Sequence, residues 1–210
     1  MYVPKHFEET DIAVLHALIR SHALGTWVTS ALEVNHIPFR IDPSRGVCGT
    51  LVAHVARANP VWRALSAQAE SVVIFQGAQA YITPSWYPAK QAHGKVVPTW
   101  NYAVVHAHGI ASAIEDRDWL LEHVTGLSEE HESARAMPWK VSDAPADYID
   151  SLLRSIVGIE MPVSRLVGKW KVSQNRSAED RNGVLSGLLE RGDSASLEMA
   201  GLVDRKGSGI

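Results

Sequence analysis

Ile12, Leu15, Leu18 and Ile19 recur at helical spacing, behind a cap at Thr10 or Asp11 and ahead of Gly25, so a helix opens the chain. The pattern then changes. Residues 26–32, 37–41 and 49–55 are short β-prone runs, and Asn35, Asp42, Pro43 and Gly46 mark the loops between them. These predict an antiparallel meander. Asn59-Pro60 opens a short helical stretch through Trp62 and Leu65, since Pro suits a first helical position and Asn the cap before it. Further strands are expected at 71–75, 80–83, 96–108 and 110–114, with turns at Gln76-Gly77 and Gly109. Residues 84–94 hold too many Pro and polar positions for a central strand, and read as a functional or edge loop.

Beyond Glu115 the periodicity is helical again. Trp119, Leu120, Val124 and Leu127 fall in one element, and Tyr148, Ile149, Leu152 and Ile156 in another that begins near Pro145. A β-like run from 157 to 172 is interrupted by Pro162 and Gly168. The tail carries a capping-box-like Ser177-x-x-Asp180 followed by Val184, Leu185, Leu188 and Leu189, giving C-terminal helices over about 177–204. Six or seven short strands without long helices between them favour a barrel or sandwich over a Rossmann sheet. There is no long linker and no internal repeat, so 1–210 is expected to be a single domain with helical additions.

Composition narrows the function. The chain has 20 Lys+Arg against 23 Asp+Glu, a net charge of −3, which lacks the basic footprint of a duplex-binding protein. No apolar run approaches the roughly 20 residues of a membrane span. The N-terminal residues turn acidic at Glu8-Glu9 before any apolar run, so no secretory leader is expected and the chain reads as cytoplasmic. The single Cys48 agrees, because it can form neither an internal disulfide nor a CxxC motif. Ten histidines make the charge sensitive to pH.

There is no GxGxxG, Walker loop, HExxH or GxSxG. His106 and His108 share a strand face, but two imidazoles without a third ligand do not make a metal site. More suggestive is the stretch from His54 to Trp62, which sets Arg57 and Asn59 at a strand-to-helix junction suited to a phosphate; it also reads as a surface Arg beside an ordinary Asn-Pro cap. Aromatic and hydroxyl residues crowd 81–88 and 98–102. Ser85, Trp86, Thr99, Trp100 and Asn101 there suit a flat heteroaromatic ligand such as a flavin, or else a barrel core and a dimer interface. A third cluster, Gly168 to Arg176, combines Lys169, Lys171, Gln174, Asn175 and Arg176, and reads equally as a solvated charged face.

Four ordered motifs resemble the PaiB family. They are Gly49-Thr50-Leu51-x-Ala53-His54-x-Ala56-Arg57-Ala58-Asn59-Pro60, Tyr81-Ile82-x-Pro84-Ser85-Trp86-Tyr87, Val97-Pro98-Thr99-Trp100-Asn101-Tyr102-x-x-Val105-His106-x-x-Gly109 and Lys171-x-Ser173-Gln174-Asn175-Arg176. The resemblance implies a negative transcriptional regulator that binds FMN. Its fold would be the FMN-binding split barrel, an antiparallel six-stranded β-barrel with flanking helices, working as a homodimer with flavin at the interface. It further implies Arg57 as phosphate clamp, Asn59 as cap or phosphate partner, and His54 as a ligand to phosphate or ribityl oxygen. Ser85, Trp86, Thr99, Trp100 and Asn101 would contact the flavin, and Gln174, Asn175 and Arg176 would come from the partner subunit. Direct DNA binding rests on this resemblance alone, since the charge opposes it. The enzyme-class alternative is a flavin-dependent oxidoreductase or reductase using the same cleft, and a haem-handling protein is a third reading.

Overall fold

The opening helix forms as expected, α1 (Ile12–Ser21), and faces its apolar stripe inward through Leu15, Leu18 and Ile19. Among the described residues nine strands follow from the β-prone segments: β1 (Glu8–Glu9), β2 (Leu24–Val28), β3 (Val34–Pro38), β4 (Arg40–Asp42), β5 (Thr50–Ala56), β6 (Ser71–Ile82), β7 (Thr99–Gly109), β8 (Ser112–Ile114) and β9 (Ile156–Lys171). In this computed structural model, which describes residues 1–65 and 69–207, they form one curled antiparallel sheet in the order β3-β2-β6-β7-β9-β5-β4, with β1 and β8 also pairing with β9. The fold class is the expected one. The strand count exceeds six because the short strands β1, β4 and β8 add to the long ones.

Three expected interruptions do not occur; one is at Gly168, which lies inside the unbroken β9 and serves a close approach, since a Cβ there would lie 2.3 Å from Leu15 Cδ2. The turn at Gln76-Gly77 is absent and β6 runs straight through, because Gly77 serves a close approach: a Cβ there would lie 3.0 Å from Leu18 Cδ1. Pro162 does not break β9 either. It sits opposite Thr50 at the end of the β5 ladder, where a missing N–H costs least, and Val163 N–H resumes bonding to Gly49 O at 2.9 Å.

The chain divides into two compact units, and β6, β7 and β9 each run from one into the other. The first comprises 1–18, 76–105 and 167 onward. It contains α2 (Pro88–His93), a 3-10 turn at Pro84–Trp86, and the C-terminal helices α5 (Ala178–Arg191) and α6 (Ser194–Gly207). Segment 84–94, expected as a loop, is therefore short helix, with Pro at the first helical position of each piece. Ser177 caps α5 by accepting from Asp180 N–H at 3.2 Å, but the reciprocal arm of the box is missing, since Asp180 Oδ1 accepts instead from Ala89 N–H.

The second unit comprises 19–75 and 106–166. Its core is aromatic and β-branched, with Trp27, Phe39 and Phe75 edge to face. Here β5 pairs with β9 from Thr50 opposite Pro162 to Ala56 opposite Ile156. Helix α3 (Arg117–Glu132) is capped by Asp116, which accepts from Trp119 N–H at 2.8 Å, and α4 (Ala146–Arg154) starts at Pro145. Among the described residues no helix is long and apolar enough to cross a membrane.

Candidate functional site

The junction after β5 lies in the second unit. Each guanidinium nitrogen of Arg57 has a partner there: its Nε donates to Arg154 O at 2.8 Å, its Nη2 to Ile156 O at 3.1 Å and its Nη1 to Glu115 Oε2 at 2.5 Å. Asn59 is the cap of the 3-10 turn Pro60–Ala64. Its Oδ1 accepts from Val61 N–H at 3.0 Å while its Nδ2 donates to Asn35 Oδ1 at 2.9 Å. Trp62 closes the junction by donating Nε1–H to Arg57 O at 3.1 Å. His54, on β5 opposite Gly158, meets His123 of α3, with His54 Nδ1 3.0 Å from His123 Nε2. Trp119 stacks on the His123 ring, with centroids 5.3 Å apart and planes 17° from parallel. Burial lowers both imidazoles; His123, also facing His54 and the Arg40 guanidinium, falls to about 3. Both rings are therefore neutral at pH 7.

The other predicted residues assemble in the first unit around the end of β9. Lys171 donates to Thr99 Oγ1 and, at 2.6 Å, to Trp100 O. Asn101 is 1% exposed and donates from Nδ2 to Ser173 Oγ at 2.9 Å. Ser173 takes a left-handed backbone, φ 66°, so the chain turns sharply here. Gln174 ties that turn down, accepting from Val172 N–H at 2.7 Å and donating to Trp170 O. Arg176 lies over the Tyr87 ring, 4.9 Å from its centroid, and Asn175 is exposed. Trp100 is 54% exposed and meets Tyr81 edge to face at 6.0 Å.

Ser85 and Trp86 stand at one side of this unit in the 3-10 turn. Ser85 Oγ accepts from Lys90 Nζ at 3.1 Å. Trp86 lies flat on α5, where Gly187 leaves room that a Cβ would fill, 2.3 Å from the indole; Arg191 lies 5.3 Å from its ring centroid. Trp86 is thus largely spent on packing.

Positive charge collects at the end of β9 in the first unit. Lys169, Lys171 and Arg176 follow one another along the end of β9 and its turn, and none forms an ion pair among the described residues. Burial, with the charges of Lys169 and Arg176, lowers the Lys171 pKa, so this amine sits in positive potential with no carboxylate to offset it. Such a place favours an anion. His106 and His108 carry no comparable cluster. Their ring centroids are 6.3 Å apart, His108 Nδ1 lies 3.5 Å from Glu70, and no group of three or more ligating side chains occurs among the described residues.

Sequence reasoning did not find His123, Trp119 or Glu115. His123 lies 69 positions from His54, and no local spacing couples a strand residue to a helix residue that far away. Lys171, by contrast, is visible in the sequence as part of the cluster from Gly168 to Arg176, and it is the last residue of β9.

The sequence and the fold are each similar to known proteins. The family described as "Putative FMN-binding domain" matches residues 1–165. The chain is 34% identical to the uncharacterized protein AN0679 of Emericella nidulans, over 99% of this chain and 98% of that protein. It is 32% identical to the protease synthase and sporulation protein PAI 2 of Bacillus subtilis, covering 98% of each. Among solved structures, the flavocytochrome Anf3 of Azotobacter vinelandii superposes with a TM-score of 0.57 at 12% identity, covering 80% of this chain and 72% of that one. The FAD and haem binding protein of Mycobacterium smegmatis does so with a TM-score of 0.57 at 15% identity, covering 78% and 73%. At those identities the structural likeness concerns the fold, a flavin-binding split barrel. With the family match spanning most of the sequence and PAI 2 aligned end to end, this chain belongs to the FMN-binding domain family that includes PaiB.

Proposed function

We propose that the protein acts as a homodimeric, FMN-dependent regulator of the PaiB type, with the cofactor held by the cluster at the end of β9. FMN is the cofactor of the family. The observation that carries the placement is the set of cations without carboxylate partners, Lys169, Lys171 and Arg176, beside the exposed aromatic ring of Trp100. These residues fit the group chemically. A phosphate needs positive charge that is not already neutralised, a flavin ring needs a flat aromatic neighbour, and Asn101 and Ser173 supply buried polar groups. When bound, FMN supplies one- and two-electron chemistry. The chain's residues bind and orient it: Lys171 and Arg176 by charge, Trp100 and Tyr81 by ring contact, Thr99 and Gln174 by holding the two backbone segments in place.

In this reading Arg57 braces the strand-to-helix junction, because its guanidinium already serves two carbonyls and Glu115. The phosphate-clamp role that the resemblance implies for Arg57, Asn59 and His54 requires Glu115, whose side chain is 56% exposed, to give way to the phosphate. His54 has its Nε2 available for that role, since its Nδ1 meets His123. Regulation is supported by the likeness to PAI 2, named for protease synthesis and sporulation. The exposed Val97 and Trp100 support a second copy covering this face.

Titrating the protein with FMN and with riboflavin, which lacks the phosphate, tests the proposal through flavin fluorescence. Tighter binding of FMN by about tenfold or more, shrinking as salt is raised, is the expected result. Equal affinities, or none, contradict a phosphate held by unneutralised cations.

A further inference from the structure

Lys169 belongs to the cationic cluster at the end of β9, yet it is nearly shut off from solvent, at 9% exposed. Part of what covers it is Tyr2. Lys169 Nζ donates to Tyr2 O at 3.1 Å, and the ammonium lies 5.8 Å from the centroid of the Tyr2 ring and 5.2 Å from that of Tyr102. No carboxylate pairs with it. Glu8 stands opposite Lys169 in the register of β1 and β9, but Glu8 is exposed and makes no ion pair among the described residues. An ammonium carries three N–H donors, and here one of them meets a neutral carbonyl. Its charge is felt by the rest of the cluster, since burial and then the charge of Lys169 lower the Lys171 pKa.

The residues that cover Lys169 are themselves held lightly. From Pro4 onward the chain is anchored: Phe7 N–H donates to Pro4 O at 2.8 Å, the Phe7 ring is buried, β1 pairs with β9, and Glu9, 8% exposed, accepts from Lys206 Nζ at 2.6 Å. Ahead of Pro4 the picture differs. Met1 and Tyr2 are 45% and 83% exposed, so little apolar area keeps them down, and lifting them costs little beyond the bond to Lys169.

We propose that Met1–Tyr2 is a displaceable cover on Lys169, which competes with the phosphate of the flavin for this ammonium and so regulates access to the site. The inference rests on the placement of FMN at the end of β9. A phosphate oxygen brings opposite charge where Tyr2 offers only a carbonyl dipole, so an anion held by Lys171 and Arg176 takes over the bond. Lys169 then becomes the third cation of the site. While the cover is down that cation is withheld, and the apparent affinity falls with the fraction of uncovered molecules.

The test uses the full chain carrying 3-fluorotyrosine, with the Tyr2 fluorine resonance assigned by its loss in Tyr2→Phe. Saturating FMN is expected to move that resonance toward the position it takes in Lys169→Met, where the anchor is gone. Inorganic phosphate at tens of millimolar, which has no ring to shift a neighbour, should move it the same way, and sodium chloride at equal ionic strength should move it less. The double variant Tyr2→Gly/Val3→Gly, which loosens the cover, should bind FMN about threefold more tightly than wild type. Flavin fluorescence on the same samples reports cofactor binding separately. If FMN binds while the Tyr2 resonance stays in place, or if the glycine variant binds FMN equally or more weakly, the cover is overturned and the cofactor placement stands. If FMN does not bind at all, the cofactor placement fails, and the phosphate titration decides the cover alone: a fixed Tyr2 resonance overturns it.

Discussion

Arg57 joins three parts of the second unit through one planar group, donating to Arg154 O, Ile156 O and Glu115. Removing it leaves two carbonyls and a carboxylate to find other donors, so Arg57→Ala should cost about 1–3 kcal/mol of stability in urea unfolding, whatever it does to flavin. Lysine cannot replace the fork, and Arg57→Lys should recover only part of that loss. His123 makes a different prediction. Its pKa is about 3 in the folded protein against an ordinary 6.5, chiefly because it is buried. Above pH 6.5 both folded and unfolded chains keep the ring neutral, so it adds no pH dependence. Between 6.5 and 3 only the unfolded chain takes up the proton, and stability falls as the pH falls. His106, lowered to about 4 by burial and by the nearby His108 and Arg165, adds to the same decline. Urea midpoints should therefore drop between pH 7 and pH 5, and drop less in His123→Leu; equal slopes in the two proteins would contradict the assignment.

The contact of Trp86 with α5 depends on a missing side chain. A Cβ at Gly187 would fall 2.3 Å from the indole, so Gly187→Ala should destabilise by about 1–3 kcal/mol through forced displacement of Trp86 or the helix. Gly201 on α6 is the internal control. There a Cβ meets only Arg205 Nη1 at 3.7 Å, and Gly201→Ala should be neutral or gain up to about 1 kcal/mol from helix propensity. Thermal unfolding of the pair separates packing from propensity. The elements were legible where local chemistry sets them: the cap at Asn59, the start of α4 at Pro145, and the β-prone runs of β5 and β7. The errors share one cause. Gly77 and Pro162 punctuate a sequence locally, but their strands continue because Leu18 needs the space at one and the β5 ladder ends at the other. Neither fact is written near the residue it concerns.

Across the whole chain, the family motifs already pointed to flavin and fold, whereas the condition of the individual site residues could not be read from them. Arg57 and Lys171 are both cations in recognisable motifs. Only the structure separates the one whose donors are matched from the one placed among like charges. A homodimer should appear in sedimentation equilibrium at about twice the 23.0 kDa chain mass, and Trp100→Glu, which replaces an exposed ring by a charge, should shift it toward monomer. The account's central claim is that the charge at the end of β9 holds the cofactor, and its most direct test is FMN affinity in wild type, Lys171→Met and Arg57→Ala, with folding verified by circular dichroism. The account predicts a loss of about tenfold or more in Lys171→Met and a smaller one in Arg57→Ala. Unchanged affinity in Lys171→Met, with binding abolished in folded Arg57→Ala, would contradict it and place the phosphate at the junction after β5.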